Sequence, residues 1–291
     1  MKNIKNNHFL VLGRAGLDLY ADPPGTRIEE AVGFSSALGG SAANIAVAIS
    51  KLGSKASLIS CVSDDAVGRY ILNQLKRYGI GCEHMHTVVG EARSSLAVVE
   101  TRVENCQSVI YRNGASDFQL DKIHVQDIPY REYGALIVTG TSLAVEPSRW
   151  ATLLAIKLAR QAGLSVILDI DYRPYSWASG TEAAEIYERA STLSDIVIGN
   201  DVEFAVMANG GDGLAFARLL EKVSANIVIY KKGEKGSTTF VDGKEFETGI
   251  YPVTALKPTG AGDAFMGAFI TSWANGLDAE ACVKRRICRL G

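Results

Sequence analysis

The chain contains few cysteines, and their spacing fits neither a disulfide framework nor a metal site. The five cysteines are odd in number and scattered, and no two of them form a Cys-x-x-Cys pair: Cys61, Cys82, Cys106, Cys282 and Cys288. This usage favours reduced thiols and therefore predicts a protein of the cytoplasm.

Long apolar runs and extended blocks of one charge are also missing. No apolar run approaches the roughly 20 residues of a membrane-spanning helix, and the first nine residues lack the apolar core of a signal peptide. The formal net charge is −2, and like charges gather only near the C-terminus. We therefore expect neither membrane nor nucleic acid as a partner.

Two common nucleotide-binding fingerprints are absent as well. The segment after the first predicted strand has no G-x-G-x-x-G and continues with β-type sequence, which argues against a dinucleotide-dependent dehydrogenase. The G-x-x-x-x-G-K-[ST] pattern of a P-loop does not occur either. With 291 residues, 47% of them hydrophobic and 21% charged, the chain is a globular protein.

Short apolar segments alternate with helical patterns along most of the chain. Strands are predicted at residues 9–13, 56–62, 135–138, 165–169, 196–198 and 226–230. Helices are predicted at residues 42–52, 66–78, 147–162, 182–192 and 213–223. This alternation predicts an α/β protein with a mostly parallel sheet that helices cover on both faces.

Two segments interrupt the alternation, at about residues 14–36 and 92–117. They carry short β-type stretches with no helix between them, and residues 95–99 and 108–111 are typical of a hairpin pair. We interpret both segments as a small β lid that closes over a cleft and excludes water. A sheet extension or a dimer surface is the alternative interpretation.

The most informative motif is the glycine-rich turn at residues 258–265, which leads into a buried helix. Gly260, Ala261 and Gly262 expose backbone N–H groups at a helix start, where the helix dipole favours phosphate. Asp263 is placed to take a proton from a hydroxyl as that hydroxyl attacks phosphorus. The motif thus predicts phosphoryl transfer, although a glycine required only for close packing would look alike.

A second glycine-rich helix start and a strand-end carboxylate point to a polyol substrate. Gly39 and Gly40 allow a ligand to approach the backbone, and Asn44 lies one turn into the helix, where its amide can both donate and accept. Asp18 follows the first strand and can accept hydrogen bonds from sugar hydroxyls. The structural alternatives are Ser41 as a helix N-cap and Asp18 as a solvated turn residue.

Polar side chains also follow later strands. Asp169 and Asp171 end one strand, with a spacing of two that places both carboxylates on one side. Asn200 and Glu203 follow the next strand, and Glu203 near bound phosphates would suit a magnesium ion held through water. N-capping would explain Asn200 equally well.

A lysine- and glycine-containing turn follows the strand at residues 226–230. Lys232, Gly233 and Gly236 fit close approach to a phosphate, whereas a tight hairpin turn with solvated lysines is the alternative. The segment at residues 82–86 carries three metal-ligand types, Cys82, His84 and His86, but strand alternation accounts for them.

Together, these motifs resemble those of the pfkB (ribokinase-like) carbohydrate kinases over about residues 8–280. The segment from Thr259 to Phe265 is similar to the most specific family signature, and Gly39, Gly40 and Asn44 are similar to another. The resemblance implies a ribokinase-like three-layer α/β/α domain that spans residues 1–291 and carries the β lid.

Within the family, the similarity is greatest to kinases of keto sugar acids. The segments around Gly13–Tyr20, Tyr111–Asn113 and Asp169–Pro174 carry this similarity. Arginine suits a carboxylate through paired N–H donors, so Arg112 is the first expected carboxylate contact and Arg14 and Arg173 are the next, with a place on the nucleotide side as the alternative for Arg173. Fructose, ketodeoxygluconate and nucleosides remain alternative substrates.

The resemblance also implies the cofactors and the site. ATP and Mg²⁺ are expected, a monovalent cation such as K⁺ is left open, and a homodimer through the lid is implied. The sugar would be held by Asp18, Gly39, Gly40, Asn44, Arg112 and Arg14, and ATP by Asp171, Arg173, Asn200, Lys232, Gly233 and Gly236.

Two departures from the family pattern qualify these expectations. The basic C-terminal run does not resemble the small apolar helix that lines the adenine pocket in the family, so a non-catalytic sugar-binding protein is the alternative of another class. Lys257 and Pro258 stand where the family often has an aspartate and a threonine, which puts a nearby monovalent-cation site in doubt.

Overall fold

The computed structural model describes residue 4 and residues 6–102, 105–250 and 260–285. The described residues form thirteen strands: β1 (His8–Leu12), β2 (Gly16–Asp22), β3 (Gly33–Gly39), β4 (Lys55–Ser63), β5 (Gly81–Val88), β6 (Leu96–Val99), β7 (Ser108–Tyr111), β8 (Ala135–Thr139), β9 (Ser165–Asp169), β10 (Ile196–Asn200), β11 (Ile227–Lys231), β12 (Ser237–Val241) and β13 (Lys244–Thr248). Each strand predicted from an apolar run is therefore confirmed, to within two residues at either end.

Eight α-helices connect and flank these strands in the described ranges: α1 (Ser41–Lys51), α2 (Ala66–Arg77), α3 (Ser148–Gln161), α4 (Gly180–Ser191), α5 (Asp201–Met207), α6 (Gly213–Val223), α7 (Ala261–Ala274) and α8 (Ala279–Lys284). The helix starts follow local capping chemistry. Asp65 caps α2 by accepting hydrogen bonds from the Val67 and Gly68 N–H groups, and Ser179 caps α4.

Nine strands form one sheet in the order β13-β12-β11-β10-β9-β8-β1-β4-β5. In this spatial order, every pair of neighbouring strands between β11 and β5 is parallel. The pairs β11–β12 and β12–β13, at the other edge, are antiparallel. The predicted mostly parallel sheet is confirmed. The hairpin of β12 and β13 was not predicted, because its threonines and glutamates break the apolar pattern of a buried strand.

Two apolar cores lie on opposite faces of this sheet, because successive strand residues point to opposite sides. Leu10 and Leu12 of β1 face a core that includes residues of α3, α4, α5 and α6, whereas Phe9 and Val11 face a core with α1, α2, α7 and α8. The molecule is thus a three-layer α/β/α sandwich, as expected.

A separate four-stranded sheet has the order β3-β2-β6-β7. The pair β6–β7 is antiparallel, which confirms the predicted hairpin, while β2 and β6 run parallel. The small sheet lies within the segments predicted to form the lid, except that β3 continues to Gly39.

The fold brings the carboxyl ends of the parallel strands to one edge of the large sheet, where ligands bind in open α/β proteins. Residues that follow or end β1, β8, β9, β10 and β11 therefore share one region with the N-termini of α1 and α7. In the described residues, no helix has the length and apolarity to span a bilayer.

Candidate active site

Helix α7 begins at a glycine whose backbone conformation suits a tight turn. Gly260 is the N-cap and has φ 87°, a left-handed conformation that side chains disfavour. The first backbone hydrogen bond runs from the Ala264 N–H to the Gly260 carbonyl at 2.9 Å, so the N–H groups of the first turn have no acceptor within the helix. Thr259, together with Lys257 and Pro258, lies outside the described residues.

Asp263 lies in this first turn and is half-buried. The Asn44 Nδ2 donates a hydrogen bond to Asp263 Oδ2 at 2.9 Å, across 219 positions of sequence. Burial and the negative charge of Asp171 raise the pKa of Asp263 to about 7, against the opposing effects of Asn44 and the cations Lys231 and Arg173. A carboxylate with this pKa is suited to accept a proton near neutral pH.

The start of α1 differs from one expectation. Gly40, with φ 97°, is the N-cap, so the alternative assignment of this role to Ser41 is wrong. Ser41 lies inside the helix, and its Oγ donates to Asp171 Oδ2 at 2.5 Å. A Cβ atom at Gly40 would lie 2.3 Å from the Arg14 carbonyl oxygen, so only glycine fits this close approach.

Asp18 on β2 points its carboxylate against Gly39 of β3. A Cβ atom at Gly39 would lie 1.9 Å from Asp18 Oδ1, so the glycine makes room for this carboxylate. Asp18 is 6% exposed, and in the described structure its Oδ1 has no hydrogen-bond partner. A buried acceptor without a donor is costly, and a ligand hydroxyl would satisfy it.

Arg112, at the end of the lid hairpin, is held rigidly. Its Nε and Nη2 donate to Asp117 Oδ2 at 3.0 and 2.5 Å, and Nη2 also donates to the Thr141 carbonyl at 3.2 Å. The guanidinium lies 4.1 Å from the centre of the Phe118 ring. These contacts use one edge of the guanidinium and leave the Nη1 donors for another partner.

Arg112 and Arg173 are connected through Thr141 and Asp171. The Thr141 carbonyl accepts from Arg112, and the Thr141 Oγ1 donates to Asp171 Oδ2 at 3.3 Å. Arg173, predicted as a carboxylate contact or on the nucleotide side, forms an ion pair with Asp171 at 2.7 Å. Arg14 Nη1 donates to the Oγ of Ser95, next to β6, at 3.1 Å.

Asn200 and Glu203 form a reciprocal cap at the start of α5. Asn200 Oδ1 accepts from the Glu203 N–H at 2.9 Å, and Glu203 Oε2 accepts from the Asn200 N–H at 2.7 Å. Glu203 Oε1 also accepts from the Tyr172 N–H at 3.2 Å. The capping alternative therefore holds for Asn200, and both Glu203 oxygens already accept backbone hydrogen bonds.

The turn between β11 and β12 orders the predicted phosphate-loop residues. Lys232 forms an ion pair with Glu247 of β13, and Gly233 opens a short 3-10 turn. Gly236 has φ 84°, and a Cβ there would lie 1.9 Å from the Thr248 carbonyl oxygen. The segment is a tight turn between antiparallel strands, at the same sheet edge as Asn200.

Two of the four histidines, His84 and His86, lie on β5 at one edge of the sheet, whereas His8 begins β1 and His124 lies in the segment between β7 and β8. His84 Nε2 lies 2.8 Å from the Tyr133 hydroxyl, and the rings of His86 and His124 stack at 4.2 Å. Strand alternation thus accounts for the ligand-type residues at 82–86. Among the described residues, no group of three or more histidine, cysteine or acidic side chains is arranged to hold a metal ion.

Sequence reasoning left two residues of the site unassigned. The lysine- and glycine-containing turn after residues 226–230 gives no separate role to Lys231, which ends β11 with its side chain directed at Asp169. Asp117, whose carboxylate fixes Arg112, was not singled out. Its spacing of five residues from a candidate arginine was the only available signal.

Comparison with known proteins identifies the family. Residues 6–285 match the pfkB family carbohydrate kinase model. Over 282 residues the chain is 44% identical to the 5-dehydro-2-deoxygluconokinase of Photobacterium profundum, covering 94% of this chain and 85% of that protein. It is 38% identical over 285 residues to the enzyme of the same name from Bacillus velezensis, covering 96% of this chain and 86% of that protein.

Solved structures agree on the fold. The crystal structure of fructokinase with bound ATP from Xylella fastidiosa has a TM-score of 0.83 and 23% identity, covering 96% of this chain and 85% of that one. The chain belongs to the pfkB family of carbohydrate kinases, as its motifs suggested.

Proposed function

We propose that the protein transfers the γ-phosphoryl group of ATP to the primary hydroxyl of 5-dehydro-2-deoxygluconate, a substrate of myo-inositol catabolism. The observation that carries the proposal is the half-buried Asp263 at the glycine-opened N-terminus of α7, held by a hydrogen bond from Asn44. The names of the relatives at 44% and 38% identity supply the substrate.

In the proposed reaction, the hydroxyl oxygen forms a bond to the γ-phosphorus as the bond from that phosphorus to the β,γ-bridging oxygen breaks. The hydroxyl proton passes to the Asp263 carboxylate, and ADP leaves with the electron pair of the broken bond. The free N–H groups of Gly260, Ala261 and Gly262 and of the rest of the first turn stabilise charge on the transferred group.

The sugar acid fits the side chains on the lid side of this base. The unpartnered Asp18 oxygen accepts a sugar hydroxyl, with Gly39 and Gly40 permitting close approach of the chain. Arg112 and Arg14 offer their free donors to the substrate carboxylate, a pairing that arginine favours through two parallel N–H···O bonds.

ATP lies on the other side, along the carboxyl ends of β10 and β11, near Asn200, Lys232, Gly233 and Gly236. Asp171 and Arg173 stand between the two substrates. Glu203 suits a magnesium ion held through water, because its carboxylate is fixed by backbone N–H groups and hard oxygen ligands suit this ion. When bound, the ion would neutralise phosphate charge.

We also infer a homodimer through the lid. Phe34, Val109 and Tyr111 are exposed large apolar residues of the lid sheet. The strand register pairs them with Ala21, Val98 and Leu96 on the neighbouring strands, so that all of these side chains lie on the same face of the sheet. Light scattering on the purified protein is expected to give twice the chain mass; a monomer at micromolar concentration would contradict this inference.

The direct test of the proposed reaction is ADP release with ATP and magnesium across a substrate panel. We expect turnover on 5-dehydro-2-deoxygluconate to exceed that on 2-keto-3-deoxygluconate, fructose, ribose and adenosine. Folded protein with no turnover on any of these compounds would favour the non-catalytic sugar-binding alternative.

Substituting Arg112 tests the carboxylate contact. In Arg112→Lys the charge beside Asp117 remains, but the planar fork is lost. We expect kcat/KM for the acidic substrate to fall roughly 10-fold to 100-fold, because hydrogen bonds to charged groups contribute about 1.5–3 kcal/mol. The value for fructose should change little. Arg218→Lys, on an exposed face of α6, is the matched control, and equal losses on both substrates would contradict the role.

A further inference from the structure

Lys231 ends β11 at the centre of the site, in register with Asn200 of β10 and Ser237 of β12. Its side chain is 21% exposed, and its Nζ lies 3.9 Å from Asp169 Oδ1. The two groups form an ion pair at this distance, but the separation is too long for a hydrogen bond. As far as the structure describes the chain, the ammonium therefore has donors to spare.

The ammonium lies beside the first turn of α7. A Cβ atom at Gly262 would lie 3.5 Å from Lys231 Nζ, its nearest contact outside the helix backbone among the described residues. The ammonium of Lys231 thus lies beside the first turn of α7, whose backbone N–H groups have no acceptor within the helix. A strand end and a helix end converge here, although they are 31 positions apart in sequence.

Several carboxylates keep this lysine charged. The negative charges of Asp169, Glu203 and Asp263 raise the pKa of Lys231 in spite of its burial. The same carboxylates would repel the phosphates of a nucleotide. A fixed ammonium among them offsets that repulsion, and it does so where the phosphoryl group would be transferred.

We propose that Lys231 is a catalytic residue that donates hydrogen bonds to the transferred phosphoryl group, with Asp169 as the positioning residue that holds its ammonium beside the α7 turn. The proposal rests on the phosphoryl transfer proposed above. The alternative is a purely structural ion pair that neutralises the buried Asp169.

Lys231→Met removes the charge and keeps the length of the side chain. We expect kcat to fall roughly 10²-fold to 10³-fold, the usual cost of removing one preorganised donor to a transition state. The KM for the sugar should stay within about twofold, since Lys231 lies on the phosphate side. Lys231→Arg should restore part of kcat. Lys244→Met, an exposed lysine on β13, is the matched control.

The value of kcat above the acid limb separates the two roles further. The charge of Lys231 lowers the pKa of Asp263, so its removal should shift the acid limb of the kcat/KM profile to higher pH in either role. A lysine that is only structural would change the melting temperature and leave kcat of the folded fraction unchanged on the plateau above that limb, and that result would overturn the proposal.

Nucleotide binding keeps the test independent of the substrate. Lys231→Met should weaken ATP binding at least about 10-fold and leave the binding of ADP, which lacks the transferred group, and of adenosine largely unchanged, as expected for lost hydrogen bonds to a charged group. If the wild-type protein binds ATP but phosphorylates no compound of the panel, the proposed reaction fails while these affinities still decide the role of Lys231. Equal ATP affinity in both proteins would overturn the phosphate contact. If Lys231→Met does not fold, the double variant Asp169→Asn/Lys231→Met is used in its place in each of these experiments, because it also removes the buried charge of Asp169 that the single substitution leaves unpaired.

Discussion

Asp263→Asn is expected to lower kcat roughly 10³-fold, because a positioned general base contributes about 10²-fold to 10⁴-fold. The amide keeps the shape of the side chain and can still bond to Asn44, whose Nδ2 lies 2.9 Å from the carboxylate. ATP and sugar affinities should therefore stay close to those of the wild type. The measurement is steady-state ADP release beside calorimetric titration of both substrates.

The control for this substitution is Asp242→Asn. Asp242 is exposed in the turn after β12, with φ 51°, a conformation that asparagine adopts as readily. We expect no change in its turnover. An Asp263→Asn protein that binds both substrates and retains more than a tenth of the wild-type kcat would contradict the assignment of the base.

The same residue sets the expected pH dependence. The pKa of Asp263 is raised to about 7, and a general base acts only in its ionised form. On the acid side of pH 7, kcat/KM should therefore fall about tenfold per pH unit, and above pH 7 it should level off. An acid limb near pH 4, the ordinary range of an aspartate, would mean that another group limits the reaction.

The fold could be predicted largely from local pattern. Continuous apolar runs such as Phe9–Leu12 identified the buried parallel strands, because both faces of such a sheet are covered. The antiparallel edge formed by β12 and β13 could not be predicted in this way. Its residues alternate weakly and include Thr238, Thr239 and Glu247, and the strands are defined by pairing with β11 rather than by burial.

The site was predictable where one short segment carries the chemistry. The role of the turn before Asp263 in binding phosphate could be predicted from its glycines, because glycines at the start of a helix leave backbone N–H groups exposed. Contacts across long sequence separations were not predictable from spacing. Asn44 was expected only to bind sugar, and its bond to Asp263 joins two helices that a single sequence cannot align. The position of Lys231 in the site could not be predicted either, because a lysine at the end of a strand is usually exposed to solvent.

Asp117→Asn is expected to lower the free energy of unfolding by about 3 kcal/mol, the usual cost of removing one partner from a buried ion pair. Asp117 and Arg112 are each 4% exposed, and the pair joins the lid hairpin to the carbonyl of Thr141. Without the carboxylate charge, the Arg112 guanidinium stays buried and uncompensated. Thermal unfolding should show a fall in Tm of roughly 5–10 °C.

The matched control is Glu245→Gln, which breaks the exposed pair with Arg218, whose members are 39% and 44% exposed. Exposed pairs contribute less than about 1 kcal/mol, so its Tm should barely change. Equal shifts in Asp117→Asn and Glu245→Gln would contradict the energetic argument.

A double variant separates stability from function in the buried pair. Arg112→Met/Asp117→Leu replaces both charges with apolar groups of similar volume, a change that is often neutral for stability. We expect its Tm to recover most of the loss seen in Asp117→Asn. Its KM for the acidic substrate should nevertheless rise at least about 10-fold, because the guanidinium that would meet the carboxylate is gone. Recovered stability together with an unchanged KM would show that the ion pair only stabilises the lid. The contact with the substrate carboxylate would then be assigned to Arg14 or Arg173.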